Sequence, residues 1–109
     1  MSIENLEFTF ENGILKSKIL GDIDHHSAKF VREKIDTYIV GCKPRLVFLD
    51  LSHVDFMDSS GLGLILGRLN TAQEIGAEMR IYSPSRSVKK ILELAGIERL
   101  IKIEGDLRV

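Results

Sequence analysis

The sequence predicts an α/β domain built on a mixed, largely parallel sheet with helices packed on it. Three observations carry that prediction. After an opening pair of strands, segments of two-residue period alternate with segments of helical period. An Asn-Gly pair joins the first two strands as an antiparallel hairpin. A nearly continuous apolar run near the middle of the chain has the character of a central strand. The resulting order, β-β-α-β-α-β-α-β, fits one domain over residues 1–109, long enough to bury a core without metal or disulfide support.

Each element has its own local signal. Leu6 to Phe10 alternates, as does Ile14 to Leu20, and Glu11-Asn12-Gly13 between them supplies the positive-φ residues of a tight turn. After Gly21, the residues Ala28, Val31, Ile35, Tyr38 and Ile39 recur at helical spacing, with Asp24 or Ser27 as the cap and Gly41 as the stop. The run RLVFLDL from Arg45 to Leu51 follows Pro44 and is expected to be covered on both faces. From Leu62 the stripe Leu62, Ile65, Leu66, Leu69 and Ala72 predicts a second helix ending at Gly76, and Glu78 to Tyr82 predicts a short strand. Ser83 as cap, Pro84 in the first turn and Val88, Ile91, Leu92 and Ala95 toward the core predict a third helix that ends at Gly96. Leu100 to Ile103 gives a final strand, beyond which the last residues are expected to fray.

Composition narrows the function classes. The chain is 44% hydrophobic, 28% charged and 6% aromatic, without tryptophan, which is globular rather than disordered usage. A formal charge of -1 provides no long-range field to draw in nucleic acid or an anionic membrane. Cys42 is the only cysteine, so no intrachain disulfide forms and its thiol is expected to be inert in a reducing compartment. The N-terminal stretch carries acids rather than a basic-then-apolar signal pattern, and LGLILG is far too short to span a bilayer. A cytoplasmic location without membrane or nucleic-acid partners is the expectation.

The common enzyme signatures are missing: no G-x-x-x-x-G-K-[ST], no H-E-x-x-H, no G-x-S-x-G and no C-x-x-C. His25 and His26 are adjacent and so diverge in direction, which favours helix-start or surface contacts over a metal site. Asp50, Asp55 and Asp58 gather near the end of the central strand, where open α/β sheets often form sites. They present a choice between cap and turn acids and a divalent-ion site for a phosphate-handling enzyme. A small-ligand or nucleotide sensor is a third reading.

The segment FMDSSGLGLILGR, Phe56 to Arg68, is the densest in chemistry. Asp58, Ser59 and Ser60 sit where the strand-to-helix turn exposes free N–H groups, so they serve as caps or offer a hydroxyl for modification. At about 100° per residue, Gly63, Gly67, Asn70 and Glu74 fall away from the apolar stripe, and Leu64 also lies off it. Glycine in an exposed helix costs roughly 1 kcal/mol relative to alanine. Close approach of a partner's backbone or a crowded loop of the same domain would account for the two.

Together with GDIDHHSAKFVREKI, Gly21 to Ile35, this segment closely resembles the anti-sigma factor antagonists built on the STAS domain, most of all those of the sporulation sigma-F pathway, and the likeness covers nearly the whole chain. The resemblance implies a STAS-like fold and a regulatory protein that is not an enzyme and uses no cofactor. It implies phosphorylation of Ser59 by a cognate anti-sigma factor serine kinase, reversal by a serine phosphatase, and binding of that kinase by the unphosphorylated form. Partner contacts implied in the same way run through Asp24, Asp58, Ser60, Gly61, Leu62, Gly63, Leu64 and Gly67.

Overall fold

A computed structural model describes residues 5–105. Strands β1 (Leu6–Glu11) and β2 (Ile14–Leu20) are followed by α1 (His25–Cys42), β3 (Leu46–His53), α2 (Ser59–Glu74), β4 (Glu78–Tyr82), α3 (Arg86–Leu94), a 3₁₀ turn (Ile97–Arg99) and β5 (Lys102–Glu104). The strands lie in the order β1-β2-β3-β4-β5. The first pair is antiparallel and the other three pairs are parallel. At the hairpin, Asn12 and Gly13 both adopt positive φ, 54° and 77°, the twist that lets adjacent strands pair without splaying.

Register divides the sheet into two unlike faces. Leu15, Val47 and Met79 are cross-strand neighbours, as are Ser17, Leu49 and Ile81. All are buried and share one core cluster with Val31, Ile35 and Ile39 of α1, Ile65 and Ala72 of α2, and Val88 and Leu92 of α3, Ser17 lying among them. The residues between them, Lys16, Phe48 and Arg80, then Lys18, Asp50 and Tyr82, form the opposite face, which stays partly open. The central strand is therefore covered on one face only, contrary to the apolar run's implication. Phe48 earns its place by edge-to-face contact with Tyr82, ring centroids 5.9 Å apart, instead of under a helix.

Three boundaries differ from the sequence reading. Gly41 lies inside α1; the stop is Lys43, in the left-handed conformation, with its N–H donated to the Ile39 carbonyl. Pro44 follows and cannot continue a helix. Ser83 is also left-handed and donates its N–H to the Glu104 carbonyl at 2.7 Å, which leaves Ser85 to cap α3 by accepting from the Val88 N–H. Ala95 is exposed, and β5 begins at Lys102 because the 3₁₀ turn and the bonds of Leu100 and Ile101 to Ile97 occupy the chain before it. The last residues, where fraying was expected, lie outside the described part of the chain.

The buried stripe of α2 is Gly61, Leu64, Ile65, Arg68 and Ala72. Leu62 and Leu69 only lean on the core, and Leu66 is 40% exposed. An arginine in the stripe conceals it from a search for apolar periodicity. Arg68 is 5% exposed, with Nε 2.7 Å from Asp36 Oδ1 of α1 and Nη1 without a partner among the described residues. Burial pulls its guanidinium below the usual arginine range, opposed by the Asp36 charge.

Ser17 is fully buried on the core face, and its hydroxyl has no hydrogen-bond partner among the described residues. A desolvated, unsatisfied hydroxyl opposes folding by about 1–3 kcal/mol. Ser17→Ala is expected to raise the free energy of unfolding by about 1 kcal/mol, read as a higher urea midpoint at unchanged slope.

Candidate functional site

The site is assembled where two crossover loops meet. The chain leaving β2 and the chain leaving β3 pair through a short parallel bridge between Ile23 and Met57. Ile23 donates its N–H to the Phe56 carbonyl at 3.1 Å, and Asp58 donates to the Ile23 carbonyl at 3.2 Å. A carboxylate strengthens the bridge: Asp22 Oδ1 accepts the Phe56 N–H at 3.1 Å, across 34 positions of sequence. On its other flank the β3–α2 loop is held by α3, since Ser85 Oγ donates to the Val54 carbonyl at 3.2 Å and Ser87 Oγ to the Asp55 carbonyl at 3.1 Å.

Each loop ends in a helix cap, and the bridge brings the caps together. Asp24 begins α1 with a capping box: its Oδ1 accepts the N–H groups of His26 and Ser27, both at 2.9 Å, while Ser27 Oγ accepts the Asp24 N–H at 3.1 Å. The Ser27 amide bond is the main reason the Asp24 carboxyl lies below the usual aspartate range, with desolvation working against it. Asp58 begins α2 by accepting the Ser60 N–H at 2.7 Å. Ser59 is then the first helical residue, exposed, and its hydroxyl makes no hydrogen bond within the described residues.

The expected contact residues separate into three kinds. Asp24, Asp58, Ser60, Leu62 and Gly67 are partly exposed and Gly63 is open. Leu64, 3% exposed, belongs to the core, and Gly61 is buried. A Cβ added at Gly61 would meet Met57 Cβ and Sδ, each at 2.9 Å, whereas nothing lies within 4 Å of one added at Gly63 or Gly67. Gly61, not singled out for this in the sequence, is therefore held small by Met57, whereas a crowded loop of the same domain does not account for Gly63 or Gly67. Beside them, between α1 and α2, lies an open groove of about 430 Å³ whose lining includes Ser60, Gly63 and Leu64 with His25, Lys29 and Arg32.

The three aspartates read as a candidate ion site do not form one. Asp50 is 2% exposed, lies 3.6 Å from Lys16 Nζ and accepts the Ser52 N–H, while Asp58 is occupied as a cap. Asp55 is exposed in the loop between them. Among the described residues no group of three or more His, Cys, Asp or Glu side chains is arranged to hold a metal ion. His25 and His26 lie in the first turn of α1, ring centroids 6.0 Å apart and steeply inclined. Cys42 is a half-buried free thiol at the far end of α1. No helix of the described residues is long and apolar enough to cross a membrane.

Sequence reasoning missed Asp22, Phe56, Ser85 and Ser87 as organisers of this site. Asp22 gave no local signal, because the Phe56 N–H that it accepts lies 34 residues away. The serines gave none, because their partners are about 30 residues away.

A one-sided sheet of this topology, carrying two capped helix starts side by side at one edge, defines a small α/β module. The STAS domain model matches residues 5–108, and the chain belongs to the STAS domain family. An anti-sigma F factor antagonist from Paenibacillus polymyxa is 33% identical over 90% of this chain and 84% of its own length. The fold agrees with that of the anti-sigma factor antagonist SpoIIAA in its unphosphorylated form, at TM-score 0.79 and 24% identity over 94% of this chain and 89% of that one. The Bacillus cell fate determinant SpoIIAA in the phosphorylated form aligns with TM-score 0.72 and 23% identity over 94% and 92% of the two chains.

Two predictions belong to this geometry. The stability that Asp24 contributes through its lowered carboxyl is complete above the usual aspartate range and disappears as acidification passes through the lower folded-state value. Exchange protection of the His26 and Ser27 amides is expected to fall over that acid window in the native protein and to be absent at neutral pH in Asp24→Ala. Along α2, Gly61→Ala is expected to destabilise by about 1–3 kcal/mol through overpacking on Met57, while Gly63→Ala stabilises by up to about 1 kcal/mol through helix propensity. Calorimetric melting temperatures should move in opposite directions.

Proposed function

We propose that this protein is an anti-sigma factor antagonist that works by partner switching. Its unphosphorylated form binds an anti-sigma factor serine kinase and so releases a sigma factor; that kinase phosphorylates Ser59, the modified form lets go, and a serine phosphatase restores binding. The protein itself is a substrate and a binding partner, without a catalytic step of its own. The observation that carries the reading is the free, exposed Ser59 hydroxyl at the start of α2, between the Asp58 cap and the flat Gly63 surface. The naming of the Paenibacillus relative as an anti-sigma F factor antagonist supports the sporulation setting.

The physics of the switch is local. A phosphoryl group adds about 1.5 to 2 negative charges. At the first residue of a helix the macrodipole favours an anion by roughly 0.3–1 kcal/mol, and the neighbouring Asp58 charge opposes it by a comparable, solvent-screened amount. The fold is thus left nearly unchanged. An interface shaped around a bare hydroxyl fares differently, because docking strips the phosphate of water with no cation placed to replace it. A penalty of about 4 kcal/mol weakens association roughly a thousandfold.

Incubation with the anti-sigma factor kinase and ATP, followed by mass spectrometry, is expected to place one phosphoryl group on Ser59. Ser59→Ala should bind the kinase persistently, and Ser59→Asp should fold normally and bind poorly. Full affinity in the Ser59→Asp variant would contradict the mechanism.

A further inference from the structure

We propose that Phe56 is the aromatic anchor by which this face docks on the anti-sigma factor, and that Asp22 is the positioning residue that holds the ring outward; the proposal rests on the functional reading above. Of the large apolar side chains exposed among the described residues, Phe56 alone lies within three positions of Ser59, and it is 53% exposed. Its main chain is fixed on both sides. Asp22 Oδ1 takes its N–H at 3.1 Å, and its carbonyl takes the Ile23 N–H at 3.1 Å. With both polar groups committed to the bridge, the backbone that sets the Cα–Cβ direction of Phe56 cannot turn toward the core without breaking the pairing of the two loops.

Met57 beside it is 2% exposed and packs under Gly61, so the alternation of an extended segment sends Phe56 to the opposite side. A solvent-facing aromatic ring on a held main chain at a binding surface has the properties of an interaction hot spot, since little backbone freedom is lost when it is covered. The carboxylates of Asp22, Asp24 and Asp58 around it are spent on main-chain N–H groups, so the apolar feature this edge offers is the Phe56 ring, and its complement on the partner is an apolar socket.

The test uses the whole chain, the purified anti-sigma factor kinase of the same organism, calorimetric titration, and amide hydrogen exchange of the free chain by NMR. Phe56→Ala should weaken binding by about 30-fold or more, the mark of a hot-spot residue, with its melting temperature unchanged. Asp22→Ala should lose protection at the Phe56 amide and weaken binding about tenfold. Asp22→Asn, which keeps the acceptor oxygen, should restore both. Binding by Phe56→Ala within threefold of the native chain overturns the anchor, and unchanged Phe56 amide exchange in Asp22→Ala overturns the role of Asp22. A native chain that does not bind the kinase overturns the functional reading and the anchor with it, while the exchange measurement still decides whether Asp22 fixes the loop.

Discussion

Two backbone hydrogen bonds, from Ile23 to the Phe56 carbonyl and from Asp58 to the Ile23 carbonyl, hold together the loops that leave neighbouring parallel strands. In a parallel sheet such loops emerge at the same edge, but nothing in the sheet obliges them to touch. Here they pair for a single residue on each side, and the next residue in one loop and the end of the other are the caps of α1 and α2. Side-by-side helix starts, their partial positive charge and the exposed first turn of α2 all follow from that contact. Buttressing by Ser85 and Ser87 from the opposite flank makes the loop rigid from two directions.

Within that frame the polar side chains are nearly all spent on the backbone. Asp22, Asp24, Asp58, Ser27, Ser85 and Ser87 each satisfy a main-chain donor or acceptor. The hydroxyls of Ser59 and Ser60 make no such bond among the described residues, and Ser59 is the more exposed. A hydroxyl with no structural duty tolerates chemical change without disturbing the fold, which is the physical requirement of a reversible mark. The three glycines of α2 show the same division of labour, with Gly61 required by the Met57 side chain and Gly63 and Gly67 leaving a smooth outer face.

Most of the architecture was legible because it rests on local signals. Asn12-Gly13 set the hairpin, Asp24 with Ser27 set the start of α1, and the order of strands and helices followed from period alone. What escaped depended on contacts distant in sequence. Arg68 fell outside a stripe sought among apolar residues because its neutralising Asp36 lies on another helix, and that hid the true stripe of α2. Ser83 looked like a cap because the pull of Glu104 on its N–H cannot be seen in a tripeptide. At the site, the capping acids were readable from position, whereas the Asp22 to Phe56 tie and the serine props were not, since a side chain's long-range acceptor has no periodicity.

The bare side of the sheet is not simply left over. Its residues are tied to one another: Arg80 to Glu78 and Glu104, Lys102 to Glu104, and Lys16 to Asp50 with its ammonium 4.8 Å from the Tyr82 ring centre. Opposite charges paired within β4 and β5 and across β2–β3 and β4–β5 neutralise one another on the sheet itself, which leaves a second charged surface little to pair with.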